Sequence, residues 1–544
     1  MVLDPMRSHH CLLGALALIA SLSGSASGQE STGPRVRLEG FAGAAPTAPN
    51  AAEAQATMPL TAWEAVRLAM QRNLDLRIQR LSVSLAREQI RQAEGEYDPL
   101  AGVGASYGYS KRYPNNYLEQ TAYKGFVRDT LVTPNASVSG KLTPGTQYNF
   151  SLAEPYDDSD NPIRLFNKSY QGLFSLTVTQ PLWRGFGFDV NLVSVRMAEK
   201  GERQAFAVVE AKILQVVLDV ERKYWAAAYA ADHVRVAAGN LALAEDLVAR
   251  LERALPGGLA TASDVRQAKA AVAARHADLA RAQTDLATAQ ATLRQAVDPK
   301  QGTAIAMVPV ERPSEEAPPP DKDRYLARAL AQRPELRAQQ LAIERLALQE
   351  VKAEDNTHPF LNLVGSIGYT GLAGSGLGPR VVLPLQGGLA DNTTPLQAWS
   401  NVGANGPYNW SVGLQFQVPI GNRQAEASLA QARIQKEQEE LRLEQMKGQI
   451  AIDVESAFGD VVAAWAQVLA AREGAMLSRQ QAADTDRNFA AGGATIRQVL
   501  EAQQQLAITQ DTENMSRTNY ANNRARLEAV STASFQKYQL LLEP

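Results

Sequence analysis

The sequence predicts a mixed α and β protein built from two structural repeats, each a long helical hairpin that carries a short block of strands. Internal similarity is the first observation: residues 69–109 match residues 330–369 at an offset of 260, and Asp-Val-Glu at 219–221 recurs at 453–455, an offset of 234. Apolar residues recur at spacings of three and four, which is typical of amphipathic helices. Between these helical stretches the pattern changes to alternation at period two, which is typical of strands.

The amino-terminal residues 1–28 have the composition of a secretory signal. Arg7 precedes the apolar stretch Leu12–Leu22, small residues follow, and we predict cleavage before Gln29. A membrane anchor is the weaker alternative, because the apolar run is too short to cross a bilayer of about 30 Å as a helix. The single cysteine, Cys11, lies in this segment, so the mature chain is predicted to lack disulfides, thiolate metal ligands and cysteine nucleophiles.

The remaining chain divides into two repeats with flanking segments. We predict that residues 29–58, which are rich in alanine and proline, are disordered. Repeat 1 spans 59–298, with helix 61–96, a β block at 99–182, a long helix at 191–254, a tip at 255–264 and helix 262–297. Repeat 2 spans 322–530, with helix 322–356, a β block at 359–420, a long helix at 423–490, a tip at 491–495 and helix 494–530. A proline-rich linker at 299–321 joins the repeats, and a C-terminal tail at 531–544 follows them.

The helices of both repeats share one apolar pattern. Val209 and Ile213 illustrate the spacing in the first long helix, and Val454 and Phe458 in the second. Beyond each tip the spacing becomes seven, along Val265, Val272, Leu279, Leu286 and Leu293 in repeat 1 and Val499, Leu506, Glu513, Tyr520 and Leu527 in repeat 2. Heptad rows indicate coiled-coil packing, with an ordinary helical core as the alternative. A helix of about sixty residues is roughly 90 Å long, which no compact domain needs.

Four segments between the helices are predicted to be strands: 99–110, 169–182, 360–371 and 408–420. Strands of about ten residues with an apolar outward face, a polar inward face and many aromatic side chains are typical of membrane β-barrels, although a soluble sandwich strand would show the same alternation. Residues 136–152 are a candidate further hairpin. The polar stretch 111–134 and the glycine-rich stretch 371–407 are predicted to be long loops.

Helix lengths predict how the elements combine. Helices 262–297 and 61–96 each cover about half of the long helix, so stacked end to end they match it, and repeat 2 offers the same combination. Two repeats supply about four strands, whereas roughly eight is the smallest common barrel, so we expect oligomerisation to complete one. Three copies would give about twelve strands above about twelve helical rods.

These features resemble the TolC-like outer membrane efflux protein family. The resemblance lies in "TQPLWRG" and "QVPIGNR" where strands end, in the paired glycine turns followed by Val265 and "VLEA" (499–502), and in prolines at the starts (Pro99 and Pro359) and ends (Pro181 and Pro419) of strands. It implies a homotrimer with a twelve-stranded barrel in outer membrane lipid and a long α-helical barrel in the periplasm. It also implies an exit duct that receives substrates from an inner-membrane RND, MFS or ABC-type pump through a periplasmic membrane-fusion adaptor.

The resemblance further implies roles for the tips. Acidic residues would ring a closed periplasmic aperture, at Asp264 in repeat 1 and, with one carboxylate replaced by an amide, at Gln498 and Glu501 in repeat 2. The alternative is that Asp264 caps helix 262–297. Glycines at the turns are predicted to permit positive φ, and by resemblance the turns dock adaptor hairpins, at Gly257, Gly258, Leu259, Gly492, Gly493 and Ala494.

Aromatic residues near the strand ends are candidates for a membrane girdle, with ordinary sheet packing as the alternative: Tyr107, Tyr109, Trp183, Phe186 and Trp410. The competing class, an enzyme, is not supported, because the sequence has no phosphate loop, dinucleotide fingerprint, catalytic triad or metal-ligand cluster, and no cofactor is expected. A formal charge of −3 gives no basic excess for nucleic acid. A coiled-coil scaffold without a channel remains the alternative function.

Overall fold

The computed structural model describes residues 56–115, 117–122, 125–161, 163–164, 166–257, 260–299, 305–318, 321–377, 394–402 and 406–540. The predicted signal at 1–28 and most of the segment 29–58 lie outside these ranges. The helices are α1 (Ala62–Arg72), α2 (Leu74–Glu94), α3 (Tyr117–Ala122), α4 (Phe188–Asn191), α5 (Val193–Ala254), α6 (Ala262–Val297), α7 (Lys322–Gln332), α8 (Pro334–Asp355), α9 (Pro395–Ser400), α10 (Arg423–Ala490), α11 (Ile496–Val530) and α12 (Ala533–Lys537). The strands are β1 (Ala56–Leu60), β2 (Leu100–Arg112), β3 (Val127–Lys141), β4 (Gln147–Ala153), β5 (Tyr156–Ser159), β6 (Phe166–Pro181), β7 (Ile305–Pro309), β8 (Phe360–Leu377) and β9 (Tyr408–Gln417).

Two long helices form the frame of the molecule. α5 has 62 residues and α10 has 68, so each is about 90–100 Å long at 1.5 Å per residue. Helices α2 and α6 both pack on α5, and α8 and α11 both pack on α10. Helix α5 also contacts α8 and α11, which joins the two repeats along their length.

The shorter helices differ from their predicted bounds. Helix 61–96 is divided into α1 and α2 at Asn73, whose backbone is extended and whose side chain accepts a hydrogen bond from the Leu76 amide. Helix 322–356 is divided into α7 and α8 at Arg333, because Pro334 disfavours a helical conformation at the residue before it. At the first division Arg72 pairs with Asp298 at 2.6 Å and the Asn73 side-chain amide donates to the Ala296 carbonyl at 2.8 Å, so the end of α6 meets the start of α2. Both of these helices pack on α5.

A small parallel sheet lies beside the middle of α5. Strand β1 pairs with β7, which places part of the linker 299–321 against the start of repeat 1. The prediction of disorder over 29–58 is therefore wrong for Ala56–Met58, because this strand is anchored in the core: Leu60 and Met307 are buried, and the Tyr224 hydroxyl donates to the Leu60 carbonyl at 3.0 Å.

The main sheet is antiparallel, with strand order β2-β3-β4-β6-β8-β9 and with β5 between β3 and β6. The four predicted strands are β2, β6, β8 and β9, and the candidate hairpin at 136–152 is present as β3 and β4. Strands β4 and β5 form one continuous strand, because the Glu154 amide donates to the Pro134 carbonyl and the Gln171 amide donates to the Pro155 carbonyl. Their formal break is at Pro155, which has no N–H to donate.

Both predicted loops contain strand residues. β3 begins at Val127 within 111–134, and β8 continues to Leu377 within 371–407. The polar residues that suggested a loop satisfy one another at the far end of the sheet: Arg112 pairs with Glu119 at 2.9 Å and with Asp129 at 3.4 Å. Residues 378–393 of the second loop lie outside the described ranges.

Candidate functional site

One face of the main sheet is apolar across its whole width. Residues directly opposite in antiparallel strands share a face. The pairing therefore gives one continuous row of Val103, Ala136, Leu152, Phe174, Tyr369 and Tyr408, and a second of Ala101, Val138, Phe150, Leu176, Ile367 and Trp410. Rows of this kind on a sheet surface form an apolar band rather than isolated exposed side chains.

The other face carries small and polar side chains. The row between the two apolar rows is Gly102, Ser137, Ser151, Ser175, Gly368 and Asn409. The next such row is Leu100, Ser139, Asn149, Thr177, Ser366 and Ser411. Hydroxyls on this face bond across strands, with 2.8 Å between Ser151 and Ser175 and between Ser366 and Ser411. The sheet thus separates an apolar surface from a hydrophilic one.

Two strands have open edges within the described residues. β2 pairs only with β3, and β9 pairs only with β8. On β9 the apolar side chains are largely uncovered, with Trp410 68%, Leu414 67% and Phe416 63% exposed. Long apolar edge strands are templates for pairing with another chain. Both edges of the sheet are therefore available for pairing with another chain.

The aromatic candidates lie at two levels of the sheet. Tyr107 and Tyr109 on β2 and Trp410 on β9 are each at least seven residues from the helical end of their strand, and all three side chains belong to the apolar face. Trp183 and Phe186 follow β6 at the helical end, where Trp183 stacks on His358 at 5.9 Å between ring centroids.

The four candidate prolines lie at the junctions between helices and strands. Pro99 and Pro359 immediately precede β2 and β8, Pro181 ends β6, and Pro419 lies two residues beyond β9. Glycines in the left-handed region follow where strands return to helices: Gly185, Gly187 and Gly421 have φ of 80°, 95° and 88°. Sequence analysis missed these glycines, although "WRGFG" and "PIGN" contain them.

The two tips share one capping arrangement. In repeat 1 the Thr261 hydroxyl and amide both donate to the Asp264 carboxylate, at 2.7 and 2.9 Å, and the Asp264 amide donates to the Thr261 hydroxyl at 3.2 Å. In repeat 2 Thr495 and Gln498 make the same three contacts. Hydrogen bonds from the Thr261 side chain and backbone hold the pKa of Asp264 below its usual value. Asp264 therefore caps α6, as the alternative interpretation predicted.

The glycine prediction is correct at one described position. Gly492 has φ of 81°, and the amides of Gly492 and Gly493 donate to the Phe489 and Asn488 carbonyls, which is a Schellman motif. In that motif only the residue directly after the cap needs the left-handed region, so Gly493 does not have positive φ, and neither does Gly257. Gly258 and Leu259 lie outside the described residues.

An ion pair joins the two tips, and sequence analysis missed it. Arg250 near the end of α5 donates through Nη1 to both carboxylate oxygens of Asp486 near the end of α10, at 3.0 and 3.1 Å. A small apolar cluster with buried members from both hairpins lies beside it: Leu247, Leu251, Val265, Ala268, Ile496 and Val499. Glu501 is exposed on α11, and Ala494 is partly covered. The hairpins therefore end in one packed unit.

The C-terminal segment packs against the middle of α5. Glu221, 1% exposed, accepts hydrogen bonds from Lys537 at 2.7 Å and from the Tyr538 hydroxyl. Burial raises the pKa of the Glu221 carboxyl. Residues 531–540 of the predicted tail are consequently part of the core, through α12 and Tyr538.

Comparison with known proteins gives one family and one fold. A family model described as "Outer membrane efflux protein" matches residues 65–297 and 325–532. No curated protein matches the chain. Among solved structures, the outer-membrane channel OprN has 16% identity over 86% of this chain and 89% of its own, with a TM-score of 0.59. VceC from Vibrio cholerae has 18% identity over 86% and 95%, with 0.59. The open state of MtrE from Neisseria gonorrhoeae has 17% identity over 86% and 88%, with 0.55.

Proposed function

The chain belongs to the outer membrane efflux protein family, and we propose that three copies of it form the exit duct of a tripartite efflux or type I secretion system. The resemblance stated from the sequence is thereby confirmed, and the two matched parts of the chain correspond to the two repeats. The duct lies in the outer membrane with a helical extension in the periplasm. It conducts substrates passively, because its energy comes from an inner-membrane pump of the RND, MFS or ABC type, reached through a periplasmic adaptor.

The observation that carries this proposal is the two-faced sheet with open edges. An apolar face suits outer-membrane lipid, and a face of serine, threonine, asparagine and glycine suits a water-filled lumen. Edges at β2 and β9 suit closure by neighbouring copies. A periplasmic scaffold without a channel would have no use for the apolar face, so that alternative is not favoured. An enzyme is not favoured either, since the family is one of channels.

The test is fractionation and crosslinking of the full-length protein. We expect it in the outer-membrane fraction as a trimer whose electrophoretic mobility changes on heating. Crosslinking in cells should recover one adaptor and one inner-membrane pump with it. A monomer in the soluble periplasmic fraction would overturn the proposal.

We assign the periplasmic aperture to the tips. In a threefold assembly three copies each of Asp264 and Glu501 would surround one axis and favour cations there, whereas Gln498 contributes no charge. The capping role of Asp264 is compatible with this, because hydrogen bonding keeps the carboxylate ionised. Single-channel recording of Asp264→Ala tests the assignment, and we expect altered conductance and weaker cation block. Unchanged values for both would contradict it.

The tips also serve as the docking surface for adaptor hairpins. Gly257, Gly492, Gly493 and Ala494 lie at the ends of the two hairpins, and Gly258 and Leu259 follow Gly257 in the sequence. A bulky residue there, as in Gly258→Leu, should abolish export while trimers still assemble. Gly448→Leu in α10 is the control, since Gly448 is exposed and a Cβ at this position meets no atom of another segment within 4 Å. Export that survives Gly258→Leu would contradict docking at this turn.

The aromatic side chains at the two levels of the sheet form the girdles at the two membrane boundaries. Tyr107, Tyr109 and Trp410 belong to the outer boundary, and Trp183 and Phe186 to the periplasmic one. Brominated or spin-labelled lipids, which quench tryptophan at defined depths, test this arrangement. Trp410 and Trp183 should be quenched most by labels near the headgroups.

A further inference from the structure

The hairpin β3–β4 is part of the barrel wall, and we propose that each chain contributes six strands, so that three copies close an eighteen-stranded barrel. The total of eighteen rests on the proposed function, because it assumes three copies of the chain. The resemblance to the family implied twelve strands, four from each chain. The additional pair comes from repeat 1, which supplies β2, β3, the continuous strand β4–β5 and β6, whereas repeat 2 supplies β8 and β9.

The side chains of the hairpin follow the faces of its neighbours. Ala136, Val138, Phe150 and Leu152 continue the apolar rows, and Ser137, Ser139, Asn149 and Ser151 continue the polar rows. An excursion outside the membrane would be under no constraint to keep this alternation in register with β2 and β6. The hairpin therefore has the two surfaces that lipid and lumen require.

The strands of the hairpin are long enough to span the membrane. β3 has 15 residues, and β4 and β5 together run from Gln147 to Ser159, whereas about 9–11 residues suffice for a tilted spanning strand. Topology also requires them in the wall. Every residue of β2 pairs with β3, and β2 reaches β6 only through the hairpin. Removal of the hairpin from the wall would detach β2 from the sheet.

The number of strands sets the diameter of the barrel. With strands about 4.8 Å apart and tilted by about 40°, eighteen strands give a backbone diameter of about 36 Å and twelve give about 24 Å. A structure of the trimer therefore distinguishes the two strand numbers.

Cysteine labelling tests the position of the hairpin, because the only cysteine of the chain is Cys11 in the predicted signal. Asn149→Cys on the polar face and Leu152→Cys on the apolar face of β4 are compared in native outer membranes with a water-soluble maleimide. Gln415→Cys and Leu414→Cys on β9 form the matched pair of controls. We expect the polar-face cysteine of each pair to react at least tenfold faster than its apolar-face partner. Electron cryomicroscopy of the trimer should show a barrel about 36 Å across.

Two outcomes would overturn the inference, and they are distinguishable from failure of the proposed function. Equal labelling of both β4 cysteines, with contrast retained on β9, would place the hairpin outside the membrane. A trimeric barrel about 24 Å across would exclude the hairpin from the wall. In both cases the exit duct would stand. Loss of contrast on β9 as well, with no trimer, would remove the proposed function and the inference together.

Discussion

The two repeats place the same Asp-Val-Glu sequence in their long helices, but only repeat 1 buries its glutamate. Glu221 is covered by the C-terminal segment, whereas Glu455, its equivalent in repeat 2, has a side chain that is 71% exposed and pairs with Lys322 at 3.0 Å. The helical frame is alike in the two repeats. The covering segments, β1, β7 and α12, are not duplicated: β7 packs on α5 and α6, and α12 packs on α5 and α11. The burial of Glu221 is therefore due to segments that repeat 2 does not have.

The largest difference between the repeats should follow removal of these carboxylates. In Glu221→Ala, Lys537 and the Tyr538 hydroxyl lose their buried partner, and we expect the local opening of residues 531–540 to become easier by about 2–3 kcal/mol. In Glu455→Ala an exposed pair is lost, and we expect no measurable change. Hydrogen exchange of the C-terminal segment measures both.

Limited proteolysis provides the control for this prediction. Cleavage after Lys537 should accelerate in Glu221→Ala only, while Glu221→Gln, which retains an acceptor for Tyr538, should lie between the variant and the natural protein. Equal protection in Glu221→Ala and Glu455→Ala would show that the C-terminal segment is held by its apolar contacts alone.

The sequence correctly predicted features that depend on residues close together in the chain. The repeats, the long helices and the capping of α6 depend on neighbouring residues, as in Thr261 and Asp264. The pair between Arg250 and Asp486 joins residues 236 positions apart, and no local pattern indicates it. The first part of strand β3 was missed for another reason: Arg128, Asp129 and Thr130 near its start are polar, and Asp129 pairs with Arg112 at the far end of the sheet.

The second comparison concerns the turn glycines. Gly492→Ala places a side chain in the left-handed region, which should destabilise tip 2 by about 1–2 kcal/mol. Gly257→Ala and Gly493→Ala have ordinary φ and should change local stability by less than about 0.5 kcal/mol. Hydrogen exchange at the amides of Val499 and Val265 follows the two tips separately. A larger effect at Gly257 than at Gly492 would contradict the Schellman assignment.

The caps should respond alike in the two repeats. Thr261→Ala and Thr495→Ala each remove a side-chain acceptor at a helix start, and each should cost its own tip about 1 kcal/mol. The same exchange measurement applies, and the serine variants, which retain the hydroxyl, are the controls. A cost at one tip only would indicate that the two capping boxes are not equivalent.

The last prediction concerns the charge of Asp264 at tip 1, whose expected effect on stability at neutral pH is the smallest. Asp264→Asn retains an oxygen acceptor, as Gln498 does in repeat 2, so at neutral pH the stability of tip 1 should hardly change. Below about pH 4 the stability of the natural tip 1 and that of the Asp264→Asn tip should differ. The pKa of Asp264 is depressed in the folded protein from the ordinary value of 3.8, so its contribution to stability is present above that value and is lost as pH falls through the folded pKa. Exchange at tip 1, corrected for the intrinsic rate, should therefore accelerate below about pH 4 in the natural protein. Neither Asp264→Asn nor tip 2 should show this acceleration, because an amide does not titrate. A natural tip 1 with no acid response would mean that the carboxylate acts as a neutral acceptor would, and that charge at this position serves the aperture alone.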